Sequence, residues 1–362
     1  MVSVVSADLA LPALQRAVAW LAQALAAPPR APLPVTLTVG DALAFVAADA
    51  ERHVALTLPL AAPVPAATAR VELPALARAL RGLGRGARVA LAFDSAGGLR
   101  LQAAAAVHLP PCAADAPFGA PDAAPPAGVT PVELDAAALA AACAVALVAV
   151  DRDTVRPALA GVLLQPTDRG LCAVGCDGFR LARAWLPEAV PLTALLPWRT
   201  ARALAGAATR GPLVVAADAA RAQFRWATAV LTTRLVAERY PDVEAVLPQR
   251  AAAEAVVDAA WLAAAARTLV AAGALARLTL AEGAVALAAR VGGTERPCAE
   301  AAGAGSGTAT GVYNAAYLRD AARHLAGPVR LRLPADERPL LLEGQHAGCA
   351  VQHAIMPMAI RD

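Results

Sequence analysis

The sequence predicts an α+β protein of three similar domains, because one pattern of helices and strands occurs three times. Short apolar segments with helical spacing alternate with extended runs that are broken by Asp, Gly or Pro. Corresponding helices recur about every 120 residues, a spacing well above solenoid periods, which indicates repeated domains. Each domain is expected to place two helices on one face of a β-sheet layer.

The first helix of each repeat is small and apolar, with an aspartate near its start. The three segments are DLALPALQRAVAWLAQAL from Asp8, DAAALAAACAVALVAV from Asp135 and DAAWLAAAARTLVAAG from Asp258. In the first segment, leucine and valine return at helical spacing. An aspartate in this place suits a helix N-cap and the positive end of the helix dipole, so we predict aspartate caps here.

The second helix of each repeat follows a short turn. The segments are LPALARALRGL after Glu72, LPWRTARALAGA after Leu195 and NAAYLRDAARHL from Asn314. Between the helices lie runs that predict two strands joined by a turn, namely VTLTVGDALAFVAAD, RVALAFDSAGGLRLQ, ARLTLAEGAVALAAR and VRLRLPADERPLLLEG. Two boundaries follow from composition: the Pro- and Ala-rich stretch 112–131 and the segment around 247–254. They predict domains at 1–125, 129–249 and 252–362.

Composition supports a large buried core, since 58% of the residues are hydrophobic and 17% are charged. The net charge is +3 and every basic residue is arginine, which is compatible with nucleic-acid binding without requiring it. The N-terminus has no basic segment followed by an apolar core, so we expect no signal peptide. The longest uncharged apolar run, 136–150, is shorter than the roughly 20 residues of a membrane span. We therefore expect a cytoplasmic protein with no membrane partner.

Motifs of catalysis are missing from the sequence. None of the four serines lies in a Gly-x-Ser-x-Gly elbow, and the five histidines show neither HExxH nor paired-ligand spacing. GLGRG (82–86) and GAGSG (303–307) are predicted to be turns, since neither follows a strand and opens a helix as a phosphate loop does. Asp151 and Asp153 flank Arg152 without a further acidic partner, which argues against a metal site. We predict no enzyme activity, no metal and no cofactor.

Five stretches in the second and third domains carry a resemblance. They are VRPALAGVLLQ (155–165), CDGFRLAR (176–183), LTTRLVAERYPDVEAVLP (231–248), YNAAYLRDAARHL (313–325) and AIMPM (354–358). Their order and spacing, on three tandem sheet-and-helix domains, resemble the bacterial DNA sliding clamp, the beta subunit of replicative DNA polymerase III. The first domain matches less closely, chiefly through RAPLPVTL (30–37).

The resemblance implies three tandem clamp-type domains that assemble as a head-to-tail dimeric ring around duplex DNA. The family is not enzymatic and uses no cofactor; its partners are DNA polymerase III, other polymerases and an ATP-driven clamp loader. A ring that holds DNA topologically needs sequence-independent phosphate contacts. Arginines on the repeated helices, and three that match DNA-contacting positions of the family, fit this need, although ordinary solvated helix faces remain an alternative. The DNA-binding candidates are Arg30, Arg152 and Arg199, then Arg78, Arg81, Arg202, Arg319 and Arg323.

The resemblance also implies a peptide-binding pocket between the second and third domains. Its matching residues are Leu159, Cys176, Gly178, Phe179, Arg180, Leu181, Pro241, Val246, Ile355, Met356, Pro357 and Met358. Such an apolar groove suits a Leu/Phe-bearing peptide, and methionine adapts to several partners. The plainer alternative is that Met356 and Met358 only finish a β-strand.

Departures from the family pattern concern the pocket and the ring seam. Cys176 and Phe179 stand where the family has Thr and His, which makes this side of the pocket less polar. At the seam, residues with small side chains, Ala104 and Ala106, replace an aromatic strand end, opposite Leu269 and Val270 on the facing helix. A weak seam leaves a second interpretation open: a degenerate monomeric adaptor or decoy that binds clamp-interacting proteins without encircling DNA.

Overall fold

The structure is a computed structural model that describes residues 5–26, 32–84, 86–113, 123–207, 211–273, 275–291 and 294–359. Six α-helices and 25 strands lie within these ranges, which confirms the predicted α+β class. The first third of the chain supplies ten elements. They are β1 (Val5–Ala10), α1 (Leu11–Ala24), β2 (Pro34–Val39), β3 (Ala42–Ala48), β4 (Arg52–Pro59), β5 (Ala67–Glu72), α2 (Leu73–Gly82), β6 (Arg88–Phe93), β7 (Leu99–Gln102) and β8 (Ala106–Leu109).

The middle third repeats this order element for element. It comprises β9 (Val132–Asp135), α3 (Ala136–Ala146), β10 (Gly161–Thr167), β11 (Gly170–Cys176), β12 (Arg180–Leu186), β13 (Ala194–Pro197), α4 (Trp198–Ala205), β14 (Pro212–Ala217), β15 (Arg221–Arg225) and β16 (Ala229–Arg234). Short 3-10 turns follow α3 and precede β10.

The last third has the same order with one short extra strand, β21. It comprises β17 (Ala253–Asp258), α5 (Ala259–Ala271), β18 (Leu275–Ala281), β19 (Ala284–Val291), β20 (Thr294–Ala302), β21 (Ala304–Ser306), β22 (Ala309–Asn314), α6 (Ala315–Ala322), β23 (Ala326–Leu333), β24 (Leu340–His346) and β25 (Cys349–Ile355). The predicted helices are therefore confirmed in all three repeats, and the predicted hairpins in the first and third. The domain boundaries stay a prediction, and residues 114–122 of the proposed linker lie outside the described residues.

The first of two compact units contains Met1–Ala136 and Arg202–Leu235. Its eight-stranded sheet has the order β5-β2-β3-β4-β16-β15-β14-β9, and a four-stranded sheet has the order β1-β6-β7-β8. Strand β16 continues the sheet of the first repeat by pairing with β4, antiparallel, with Ala229 opposite Leu56. Helix α1 buries Leu14, Val18 and Leu21 on one face, as its sequence spacing predicts.

The second compact unit contains Ala137–Ala201 and Val236–Asp362. Its nine-stranded sheet has the order β13-β10-β11-β12-β25-β24-β23-β17-β21, and a four-stranded sheet has the order β20-β19-β18-β22. Here β12 pairs with β25, with Arg180 opposite Ile355 and Trp185 opposite Ala350. The same rule therefore operates in both units, because the last strand of one repeat joins the fourth strand of the preceding repeat.

Two local predictions are wrong, each for an identifiable reason. Asp8 does not cap α1, because it lies inside β1 opposite Ala90, where its carboxylate pairs with Arg88 on β6. GAGSG is not a turn, because Ala304–Ser306 forms β21 beside β17. A side chain on Gly305 would meet the Glu254 carbonyl oxygen at 2.0 Å, so glycine is what permits this close approach.

The aspartate cap is confirmed at Asp258. Its carboxylate accepts hydrogen bonds from the backbone N–H groups of Ala260 and Trp261 at the start of α5. Asn314 does the same for α6 by accepting from the N–H of Ala316. Among the described helices, none is long and apolar enough to span a bilayer.

The capping difference yields a matched prediction. We expect Asp258→Ala to lower the free energy of unfolding by about 1 kcal/mol, because two N–H groups of α5 lose their acceptor. Asp8→Ala should cost less, because it removes only an ion pair between exposed side chains. Urea unfolding followed by circular dichroism measures both. Faster hydrogen exchange at Ala260 and Trp261 in Asp258→Ala alone is the local signature, and equal losses in the two variants would contradict the assignment.

Candidate functional site

The turn between β11 and β12 shapes one wall of the candidate site. The Asp177 Oδ1 atom accepts hydrogen bonds from the N–H groups of Phe179 and Arg180, both at 2.9 Å. Gly178 between them has φ +89°, a left-handed conformation that favours glycine. This compact turn holds the ring of Phe179 in solvent, with 63% of the residue exposed.

The methionine-bearing tail lies against this turn. Strand β25 ends at Ile355, opposite Arg180, and the N–H of Met356 then donates to the Phe179 carbonyl oxygen at 2.9 Å. Two residues on, the N–H of Met358 donates to the Val312 carbonyl oxygen at 2.8 Å. Backbone hydrogen bonds therefore hold the tail to the turn and to β22, with Pro357 half-buried between the two methionines.

A buried cluster beneath the turn joins three separate chain segments. The cluster packs Leu181 from β12 and Ala354 from β25 against Val243 and Leu247 from the segment after β16. Cys176 and Tyr240 pack against it from the sides, and Tyr240 donates a long hydrogen bond (3.5 Å) to the Val174 carbonyl oxygen. Burial raises the pKa of both the Tyr240 phenol and the Cys176 thiol, so both stay neutral at physiological pH.

Three of the predicted pocket residues expose large apolar side chains. Phe179 is joined by Val246, 51% exposed, and Met358, 40% exposed, whereas Pro241 is an exposed neighbour of Tyr240. The buried cluster therefore joins β12, the 240–247 segment and β25, while the turn before β12, the 240–247 segment and the tail after β25 expose apolar side chains. We call Phe179, Pro241, Val246, Met356 and Met358 the apolar surface.

Leu159 has a different place. It is buried, 5% exposed, in the 3-10 turn Pro157–Ala160, where its carbonyl oxygen accepts from the N–H of Asp151 at 3.1 Å. Its contribution is to support the loop that carries Asp151, rather than to offer surface.

A polar cleft of about 680 Å³ adjoins the turn. Helix α3 and the following 3-10 turn form one side of the cleft, and α6 forms another. The lining residues include carboxylates, guanidinium groups and rings. They are Ala144, Leu147, Val148, Val150, Asp151, Arg152, Asp153, Asp177, Phe179, Arg180, Tyr317, Asp320, Arg323 and His324.

Arg180 is fixed at the centre of this cleft. Its Nε donates to Asp177 Oδ2 and its Nη1 to Asp320 Oδ2, each at 3.0 Å, and its guanidinium lies 4.1 Å from the ring centroid of Tyr317. Burial alone would raise the pKa of Asp320, but hydrogen bonds from Arg319 and Arg180 outweigh it and hold that pKa below its usual range. Asp320 therefore stays charged and anchors Arg180 to α6.

Sequence reasoning missed Asp320 and Tyr317 as members of the site. Both lie on α6 three residues apart, a spacing that places them on one helix face. That spacing was visible in the sequence, but their partner Arg180 lies far away along the chain and only the fold brings it near.

The predicted DNA-binding arginines fall into three groups. Arg78, Arg81 and Arg202 are exposed on α2 and α4 and have no ion pair among the described residues. On α6, Arg319 and Arg323 both lie beside Asp320, Arg319 at 2.7 Å and Arg323 at 3.8 Å. Arg30 lies outside the described residues.

Arg152 and Arg199 form the third group, since both lie over the ring of Trp198. Their guanidinium carbons are 5.1 Å and 4.5 Å from its centroid. Two cations on one indole leave their outer N–H groups free to bind a phosphate.

The seam residues differ in exposure. Ala104 and Ala106 are exposed at β8 and the turn before it, whereas Leu269 is fully buried within its own unit. Of the two residues on α5, only the half-exposed Val270 offers surface to a partner.

A metal site is not visible in the part of the chain that the structure describes, where no three His, Cys, Asp or Glu side chains come together to ligate an ion. Burial raises the pKa of Cys143 and of Cys172 to about 12, so these thiols are protonated and unreactive.

The fold is that of solved beta subunits of DNA polymerase III, the sliding clamp. The Thermotoga maritima beta subunit superimposes with a TM-score of 0.82 at 19% identity, covering 99% of this chain and 100% of that one. The Pseudomonas aeruginosa sliding clamp bound to griselimycin gives 0.82 at 20% identity, with 99% and 100% covered. A second P. aeruginosa clamp structure with a ligand gives 0.80 at 20%, with 98% and 100% covered. No protein-family model matches the sequence, and neither does any curated protein.

Three histidines behind the cleft make the second unit sensitive to acid. The rings of His324 and His346 are 5.1 Å apart, and His353 on β25 is 2% exposed, with no hydrogen-bond partner for its Nε2 among the described residues. Burial lowers the pKa of all three, that of His353 to about 3. The folded protein therefore binds fewer protons than the unfolded chain below pH 6.5, and stability falls as pH decreases from there.

We expect His353 alone to cost about 2 kcal/mol of stability between pH 6.5 and roughly pH 5. His353→Leu should remove this part of the pH dependence, because no buried imidazole is left to protonate. Urea titrations at the two pH values measure it. His346→Leu, at a half-buried position, should flatten the dependence less, and an unchanged slope in His353→Leu would overturn the account.

Proposed function

We propose that this chain is a DNA sliding clamp, which encircles duplex DNA as a head-to-tail dimer and tethers polymerases through the apolar surface. It acts by topology and binding, without catalysis or a cofactor, in the cytoplasm. Its three domains are 1–125, 129–249 and 252–362.

The observation that carries the proposal is a pair of sheet edges that stay open within one chain. Elsewhere, the last strand of a repeat pairs with the fourth strand of the preceding repeat. Within the chain, β4 pairs with β16 and β12 pairs with β25. By position in the repeat, the remaining fourth strand is β20 and the remaining last strand is β8, and each lies at the edge of its four-stranded sheet. The backbone N–H and C=O groups of an open edge strand are free to pair with another strand. A second copy of the chain supplies the complementary strand for each edge.

A head-to-tail contact of this kind is heterologous, and it closes a ring when the rotation between copies permits. Two copies would bring together six repeats with two β8–β20 joints. Strand β20 is exposed along most of its length, which agrees with an edge that becomes covered only when two copies assemble.

Duplex DNA inside such a ring would meet the exposed arginines of the repeated helices. Arg78, Arg81 and Arg202 carry no competing carboxylate among the described residues, and Arg152 and Arg199 are held together on Trp198. Such contacts to phosphates position a protein without reading bases.

The apolar surface is the proposed docking place for polymerases, including the DNA polymerase III catalytic subunit, and for the clamp loader. Exposed Phe179, Val246 and Met358 offer apolar contact to a Leu/Phe-bearing peptide, and the adjacent cleft offers polar groups. Because methionine repacks readily, one surface can serve several partners.

Ring closure is tested first by mass. Sedimentation equilibrium from nanomolar to micromolar protein should give the mass of two chains. Ala106→Arg places a long charged side chain on the open edge of β8 and should weaken the dimer at least about tenfold. Ala96→Arg, an exposed position in the β6–β7 turn of the same sheet, is the matched control and should leave it intact.

The dimer, loaded by an ATP-driven clamp loader, should remain on nicked circular DNA and be released when the DNA is cut. A mass that keeps growing with concentration would show a filament instead of a closed ring. A monomer at every protein concentration would rule out the ring and leave the adaptor interpretation, provided that peptide binding persists.

Peptide binding is tested on the same chain by fluorescence anisotropy with a labelled peptide that carries adjacent Leu and Phe. Phe179→Ala should weaken binding about 5- to 20-fold, because it removes an exposed aromatic anchor. Val291→Ala removes an exposed apolar side chain at the end of β19 and should have no effect. Equal affinities for Phe179→Ala and the wild type would reject the apolar surface as the binding place.

A further inference from the structure

A second, apolar pocket lies in the first compact unit, apart from the apolar surface proposed for peptide binding. It has a volume of about 180 Å³ and is formed by Ala13, Arg16 and Trp20 of α1, Leu56 and Leu58 of β4, and Trp226 in the turn after β15, with small alanines between them. We call it the tryptophan pocket. A cavity of about 150 Å³ with apolar walls suffices for a benzene ring, so this one holds a single ring with a short substituent.

The two indoles that wall this pocket differ in their hydrogen bonding. The rings lie edge to face with centroids 5.9 Å apart. Trp20 Nε1 donates to the Ala203 carbonyl oxygen at 2.9 Å, which fixes its ring. Trp226 is 94% buried, and its Nε1 has no acceptor among the described residues. Because that nitrogen atom is itself buried, the Trp226 N–H gives a ligand in the pocket no hydrogen bond.

Arg16 supplies the charge at the pocket. It is exposed on α1, it is the one charged residue among the described residues that line the pocket, and none of these residues forms an ion pair with it. A guanidinium group is always protonated and binds a carboxylate through two parallel N–H donors. The apolar walls disfavour a strongly hydrated anion such as inorganic phosphate.

We infer that the tryptophan pocket binds a small apolar monocarboxylate of single-ring size. The ring packs between Trp20, Leu56 and Leu58, and the carboxylate meets Arg16. The site does not overlap the apolar surface proposed for peptide binding.

Phenylacetate is a suitable probe, because it joins one ring to a carboxylate by a single methylene. Calorimetric titration of the full-length chain should show saturable binding, and phenylacetamide should bind about tenfold more weakly since it lacks the charge. Arg16→Gln, a conservative change on an exposed position, should weaken phenylacetate binding by about tenfold as well.

Two further variants separate the pocket from general effects. Ala13→Phe fills the pocket and should abolish binding, whereas Trp261→Phe on α5 removes an indole from the other unit and should change nothing. The inference is overturned if phenylacetate shows no saturable binding, if phenylacetamide binds equally well, or if Arg16→Gln and Ala13→Phe bind as the wild type does.

Discussion

The rest of the structure depends on antiparallel backbone pairing between the fourth strand of one repeat and the last strand of the next. This pairing joins β4 to β16 in one unit and β12 to β25 in the other, so that four edges that would otherwise be exposed satisfy their N–H and C=O groups within the chain. It also explains why the compact units do not coincide with the repeats: the middle repeat gives strands to both. The compact units are therefore organised around shared sheets and not around single sequence repeats.

The candidate binding place is a direct product of that pairing. Because Arg180 lies opposite Ile355, the turn carrying Phe179 and the tail carrying Met356 must emerge side by side. The ion pairs of Arg180 with Asp177 and Asp320 then lock the turn to α6, in a half-buried setting where charge-assisted hydrogen bonds are strong. The apolar side chains of the turn and tail and the charged groups around Arg180 are thus adjacent but separate parts of the candidate site.

Local order was predictable from the sequence, whereas the connections between distant segments were not. Helix and hairpin positions follow from residue spacing and turn residues, and the Asp258 cap follows from short-range chemistry. Asp8 shows the limit of prediction from local sequence. It is also an aspartate before an apolar run, but it lies in β1, which pairs with β6. For the site, the resemblance identified residues of the turn and the tail, and the structure places them together. Asp320, Tyr317 and the buried position of Leu159 could not be foreseen, since each depends on a neighbour far away in the chain.

The long stretch of sequence between β12 and its partner β25 has a consequence for biosynthesis. During translation, β12 leaves the ribosome long before β25 exists, so the middle of the nine-stranded sheet stays incomplete until β25 has emerged. Non-local pairings of this kind form late, since the loop-closure entropy must first be overcome. A nascent chain, or one truncated before β25, would therefore expose the β12 edge and lack the tail that lies against the Phe179 turn.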